Sequence, residues 1–71
     1  MFEVKIMEKY YVLDDVEYSR YVDNIHKYKV TIHVDSEGDL PEVKYWWDQG
    51  SLAIINNTHE SKWLNSNGEW V

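Results

Sequence analysis

The stretch that decides the fold is DDVEYSRYVDNIHKYKVTIHV, residues 14–34, because its apolar residues fit two different secondary structures. Asp14 is followed three residues later by Glu17, which is the spacing of a helix capping box. After it, apolar residues recur at helical intervals with polar residues between them; these are Tyr18, Tyr21, Val22 and Ile25. The spacing therefore predicts a helix from about Asp15 to His26.

The competing interpretation of the same residues is a β-hairpin. VEYSRYV (16–22) and IHKYKV (25–30) flank Asp23-Asn24, which would be the turn, and tyrosine and valine favour strands. The uninterrupted polar face of the helical pattern favours the helix. Extended backbone across residues 17–22 would replace the helix and make the protein all-β.

Downstream of this stretch the pattern predicts strands. In KYKVTIHVD (27–35) every second side chain is apolar, and DSEGDLP (35–41) is an acidic turn. Further β segments are predicted at 43–47, at 51–56, and in a hairpin with NSNG (65–68) at its tip. Upstream, the alternation from Phe2 to Val12 predicts one more strand.

These elements predict an α+β fold forming a single domain over residues 1–71. It consists of a small antiparallel sheet of about four to five strands with one helix packed on it. The alternative is an all-β meander or a small barrel.

Two adjacent tryptophans, Trp46 and Trp47, lie in the predicted strand 43–47. Successive strand side chains point to opposite faces of a sheet, so only one indole can enter the core from this strand. Val43 and Tyr45 share the face of Trp47, which predicts that Trp47 is buried and Trp46 lies outward among charged neighbours. Trp46 is then either covered by the rest of the chain or available as a contact residue.

The composition bounds the environment and the class of protein. The chain has 13 acidic and 7 basic residues, a net charge of -6, and no cysteine, which excludes a disulfide framework and thiolate chemistry. The absence of cysteine fits a cytoplasmic protein. Charges interrupt every short apolar run of MFEVKIMEKYY (1–11), so neither a signal peptide nor a membrane span is expected there.

No motif for catalysis or metal binding is present in the sequence. His26, His33 and His59 lack the spacing of metal ligands, and the acidic turn lacks the twelve-residue loop and flanking helices of a calcium site. The serines lack the flanking glycines of a nucleophile elbow, and no glycine-rich phosphate loop exists. We therefore expect a protein that is not an enzyme and needs no cofactor or metal.

The acidic charge argues against direct binding of nucleic acid and favours a protein partner with a basic surface. Candidate partner-binding residues form two acidic patches, one on the predicted helix and one at the acidic turn, together with an exposed indole. They are Asp15, Glu17 and Asp23; Asp35, Glu37, Asp39 and Glu42; and Trp46.

In character, the chain resembles the small acidic accessory proteins by which bacteriophages and mobile elements block host nucleic-acid enzymes, including DNA mimics and anti-CRISPR proteins. The resemblance rests on size, charge and the lack of enzyme motifs, and it maps no residue. It implies an inhibitor of a basic, nucleic-acid-binding host protein.

The alternatives are a structural or assembly module that forms a homo-oligomer through exposed aromatics, and a module that binds a small ligand or peptide in an aromatic groove. The chain is expected to be a monomer or a homodimer.

Overall fold

A computed structural model describes residues 11–71, and its regular elements are almost all strands. They are β1 (Val12–Val22), β2 (Ile25–Val34), a short 3-10 turn (Glu37–Asp39), β3 (Leu52–Ile55) and β4 (Glu60–Trp63). The strands form one four-stranded sheet in the order β1-β2-β3-β4. The strand predicted from Phe2 lies mostly outside the described residues.

The predicted helix from Asp15 to His26 is wrong, and with it the α+β fold. These residues form most of β1, a tight turn and the start of β2, paired antiparallel as in the competing hairpin. Asp23 and Asn24 have φ values of 54° and 65°. Two successive residues at positive φ are what a two-residue hairpin turn requires, and Asp and Asn tolerate this conformation.

Two irregularities interrupt the regular alternation of side chains in β1. The pairing with β2 shifts between Leu13 and Asp15 and again between Tyr18 and Arg20, so each site adds one unpaired residue, as in a β-bulge. The residues that share one face of β1 are Leu13, Val16, Tyr18 and Tyr21, opposite Ile32, Val30, Tyr28 and His26. Across the second bulge, the interval of three from Tyr18 to Tyr21 is also a helical spacing, and these two residues begin the stripe that predicted the helix.

The core lies on one face of β2 and β3. Val30, Ile32 and Val34 are buried, which confirms the predicted inner face of that strand. Ala53 and Ile55 are in register beside Ile32 and Val34, and they too are buried. The same cluster contains Trp47 and Leu64.

The predicted antiparallel meander is wrong where β2 meets β3, because these two strands are parallel. Parallel neighbours need a crossover of about a dozen residues or more, and residues 35–51 supply it with no helix except the short 3-10 turn at Glu37–Asp39. The predicted strand at 43–47 is absent; only Trp47 pairs there, in an isolated bridge to Tyr28. Trp47 is buried as predicted, whereas Tyr45, expected on the same inner face, is 71% exposed.

The C-terminal hairpin is confirmed. Trp63 and Val71 each donate a backbone hydrogen bond to the other, at 2.9 and 2.8 Å, and Leu64 bridges to Trp70. Gly68, at the tip, has φ of 82°. This turn brings residues 64–66 close to the middle of the chain, where Gly50 donates to the carbonyl of Leu64 at 2.8 Å.

Candidate functional site

A buried carboxylate joins β1 to the segment that follows Trp47. Asp48 is only 4% exposed, and its Oδ2 accepts hydrogen bonds from Ser19 Oγ at 2.6 Å and Arg20 Nε at 3.0 Å. Its Oδ1 accepts from Arg20 Nη2 at 3.0 Å and from the backbone N–H of Gln49 at 2.9 Å. Both oxygens are therefore satisfied, as a buried charge requires.

The pKa of Asp48 lies below its ordinary value of 3.8 despite its burial. Burial by itself would raise this pKa, but the hydrogen bonds from Arg20, Ser19 and Gln49 and the positive charge of Arg20 outweigh it. The same contact raises the pKa of Arg20. The larger cause is the hydrogen bonding to Asp48, and the smaller is the negative charge of Asp48. The pair is therefore ionised under all ordinary conditions.

An open recess of about 530 Å³ surrounds this pair on the side of Arg20. We call it the cationic recess; its lining includes Arg20, Lys29, Gln49, Gly50, Asn65 and Ser66 around Asp48. A second recess shares Arg20 and Asp48 and adds Lys27 and Lys44. Four of the five basic residues within 11–71 thus gather in this part of an otherwise acidic protein; the fifth is Lys62.

The second surface is the face of β1 carrying Leu13, Val16, Tyr18 and Tyr21, which we call the β1 face. All four side chains are exposed, although their partners on β2 include the buried Val30 and Ile32. Tyr18 packs edge-on against Tyr28 with ring centroids 5.4 Å apart, and its hydroxyl lies 3.3 Å from His26 Nδ1. The β1 face is thus an apolar strip at the edge of the described sheet, partly held in place by β2.

The acidic turn predicted as a partner-binding patch follows β2 and contains the 3-10 turn Glu37–Asp39. Asp35, Glu37 and Glu42 are exposed, and Asp39 is half-buried and accepts a hydrogen bond from Ser36 Oγ at 3.2 Å. Lys62 of β4 approaches Glu37 at 3.4 Å, so one of these carboxylates is already partly compensated. The patch lies where β2 ends, beside the start of β1, where Asp14 contacts His33 at 3.2 Å.

The other predicted patch is divided because the helix that defined it is absent. Asp15 and Glu17 both lie on β1, opposite Thr31 and Lys29, on the face away from the core. Asp23 lies in the hairpin turn, about 20 Å further along the strand at the usual rise per residue. Asp15 and Glu17 therefore form one surface with each other but not with Asp23.

Trp46 is half-buried and contacts the aromatic cluster by its edges. Its ring centroid lies 5.9 Å from that of Tyr28 and 6.0 Å from that of Trp47, with the ring planes nearly perpendicular. Sequence reasoning placed it on the outer face of a strand, whereas the structure has a turn there. Part of this indole is thus covered by the protein's own side chains, and the rest is accessible.

Sequence reasoning missed the ion pair between Arg20 and Asp48, which we call the clasp. The two residues are separated by 28 positions, and no motif links them. The helical interpretation assigned Arg20 to a solvent-facing side. The nearest signal in the sequence is WDQG (47–50). An acidic residue directly beside a core tryptophan is expected to be partly buried, and a buried carboxylate needs hydrogen-bond donors or a positive charge as partners.

Comparison with known proteins finds no matching family model, no similar curated protein and no similar solved structure. Within residues 11–71, no group of three or more His, Cys, Asp or Glu side chains is placed to hold a metal ion. The same part of the chain contains no helix with the length and apolar character needed to traverse a lipid bilayer.

Proposed function

We propose that this protein acts in the cytoplasm, without catalysis, by binding a partner protein that has a basic surface. The observation that carries the proposal is the β1 face, an exposed row of large apolar side chains on a strand that also carries carboxylates. Clustered exposed apolar groups mark interaction surfaces in small soluble proteins. Tyr18 and Tyr21, which are 53% and 57% exposed, belong to the residue type enriched among binding hot spots.

Charge determines which kind of partner fits this surface. Asp14 lies in a bulge of β1, Asp15 and Glu17 lie on the strand face opposite to the apolar residues, and the acidic turn 35–39 lies at the same end of the sheet. Basic side chains gather around Arg20 and Asp48, further along β1 toward the hairpin turn. The acidic end attracts a basic partner and speeds its association, while the tyrosines supply contact area.

A basic partner surface is typical of proteins that bind nucleic acids, and occupying it would block their access to DNA or RNA. The mode of action proposed here is therefore inhibition by occupancy, as in the phage and mobile-element proteins that the chain resembles in character. Within the acidic turn, Glu37 and Asp39 are the residues whose charge reversal is expected to slow association.

Photo-crosslinking in the native host tests the proposal at single residues. A photoreactive phenylalanine replaces Val16 on the β1 face or, as a matched exposed control, Tyr45. We expect position 16, and not position 45, to capture a basic protein, and the yield to fall when salt is raised in the lysate. Equal capture at both positions, or capture of acidic proteins, contradicts the proposal.

The same experiment separates the alternative of a structural or assembly module. A product of twice the protein's own mass from position 16 would mean that the β1 face pairs with a second copy. Light scattering of the purified protein at low and high salt then distinguishes the cases. A salt-insensitive oligomer supports assembly, and a monomer supports a separate partner.

A further inference from the structure

We propose that the cationic recess binds the oxyanion group of a small molecule, a phosphate or a carboxylate. This site is independent of the β1 face and goes beyond the proposed function, because it selects the opposite charge. The proposal rests on three features of the recess: its net charge, the donors that line it and the backbone that makes room for its lysine.

The recess has a positive balance in a protein with a net charge of -6. Its charged lining residues are Arg20, Lys29 and Asp48, and Asp48 is committed to Arg20. Lys29 takes part in none of the ion pairs formed within residues 11–71. Its cross-strand neighbour, Glu17, is opposite it in register without forming an ion pair. Because the Lys29 ammonium has no carboxylate partner and lines the same recess as the Arg20 guanidinium, the recess attracts an anion.

The clasp with Asp48 fixes the orientation of Arg20. Nε and Nη2 donate to the carboxylate, and Nη1 has no hydrogen-bond partner among the described residues. A guanidinium is planar, so two bonds on one edge fix the direction of the remaining N–H groups. Arg20 thus presents a positioned donor to the recess without the entropy cost of ordering a free side chain.

Asn65 is oriented in a similar way. Its Oδ1 accepts the backbone N–H groups of Asn67 at 3.0 Å and Glu69 at 2.9 Å. With the oxygen occupied by the turn, the amide nitrogen is the group left to donate elsewhere. Together with the Lys29 ammonium and the Ser66 hydroxyl, the lining is rich in donors, which suits an oxyanion rather than a cation or an apolar ligand.

Gly50 provides the space for Lys29. Its φ is 92°, and a Cβ built on it would lie 3.1 Å from Lys29 Cε and 3.4 Å from Nζ. Any other residue would strain the backbone and push the ammonium aside. The end of the exposed Lys29 side chain therefore lies against the glycine, at the wall of the recess.

The size of the recess limits the ligand. At about 530 Å³ it falls in the range of small-molecule sites and can hold an oxyanion with a small organic body. A phosphate ester and an organic carboxylate share the chemistry that the donors recognise. They differ in shape, tetrahedral against planar, so a titration with each distinguishes the two.

Titration by NMR tests the site with inorganic phosphate and, separately, acetate, at about pH 7 and constant ionic strength set with sodium chloride. We expect saturable shifts of the backbone amides of Gln49, Gly50 and Ser66 with at least one anion. Lys29→Gln should weaken that binding by about tenfold or more, and Lys29→Arg should restore most of it.

Lys62→Gln is the matched control, because it removes one positive charge at Glu37, outside the recess. It should bind the anion as the parent protein does. Shifts that do not saturate with either anion would overturn the proposal, and so would equal losses in Lys29→Gln and Lys62→Gln. Saturation by acetate alone identifies a carboxylate ligand, and saturation by phosphate alone identifies a phosphate ester. Variants of the β1 face leave this titration unchanged, so the two proposals can fail separately.

Discussion

Arg20 on β1 reaches across β2 to hold Asp48 by two hydrogen bonds of 3.0 Å, one to each carboxylate oxygen. β1 and the segment around Trp47 flank β2 on opposite sides at Tyr28. Together with the hydrogen bond from Ser19, this ion pair ties β1 directly to the crossover segment.

Asp48→Asn should destabilise the fold by about 2 kcal/mol, because the amide cannot accept all the hydrogen bonds that the carboxylate receives. Urea unfolding at neutral pH measures the change. Glu69→Gln, an exposed charge-neutralising control, should change the free energy of unfolding by less than about 0.5 kcal/mol. Equal values for the two variants would mean that the clasp does not contribute to stability.

The lowered pKa of Asp48 predicts a specific acid sensitivity. A carboxyl group with a lower pKa in the folded state binds fewer protons there than in the unfolded chain. Its stabilising effect is complete above the ordinary value of 3.8 and is lost as pH falls through the lower, folded-state value. Unfolding measured along a pH series should show a steeper loss below 3.8 for the parent protein than for Asp48→Asn. Parallel curves of unfolding free energy against pH for the two proteins would contradict this prediction.

Ser51→Ala should cost about 1–3 kcal/mol although it removes only one oxygen. Ser51 is buried; its Oγ accepts the backbone N–H of Val30 at 3.0 Å and donates to the carbonyl of Asp48 at 2.8 Å. The substitution leaves a buried amide without an acceptor in the middle of β2. Thermal unfolding compared with Ser61→Ala, an exposed serine on β4, measures the effect. A similar melting temperature for both variants would refute it.

The paired tryptophans should differ in their effects on stability. Trp47 is buried and contacts Tyr11, Trp46 and Trp70 by its ring edges, so Trp47→Ala should cost about 3–5 kcal/mol. Trp46 is only half-buried, and Trp46→Ala should cost about 1–2 kcal/mol. Denaturant unfolding of both variants checks the order. An equal or larger loss for Trp46→Ala would show that it is as much a core residue as Trp47.

The strands with regular alternation were predictable from the sequence, and the bulged strand was not. From Tyr28 to Val34 every inner residue is apolar, and the pattern alone gives the face and the core. In β1, an extra residue at each of two sites changes the interval between residues on the same face. Only the pairing with β2 shows where these extra residues lie. Periodicity read along one chain cannot separate a bulged strand from a helix in such a case.

The candidate site was predictable where it depends on residues that are neighbours in sequence. Asp35, Glu37 and Asp39 stay near one another because they are neighbours in sequence, on or beside the short 3-10 turn, and their role in binding a partner stays a prediction. The patch of Asp15, Glu17 and Asp23 depended on helical geometry and was lost with it. The cationic recess joins residues from β1, β2 and the C-terminal turn, and long-range proximity of this kind has no local signal.

The two bulges of β1 also affect how the molecule avoids aggregation. A straight, regular outer strand offers its backbone as a template on which further chains can add. Bulges increase local twist and interrupt the even spacing of backbone groups, so the outer strand of the described sheet is a poor template for such addition. The tyrosines of β1 can thus stay exposed at the edge of the described sheet without the backbone of this strand promoting fibril growth.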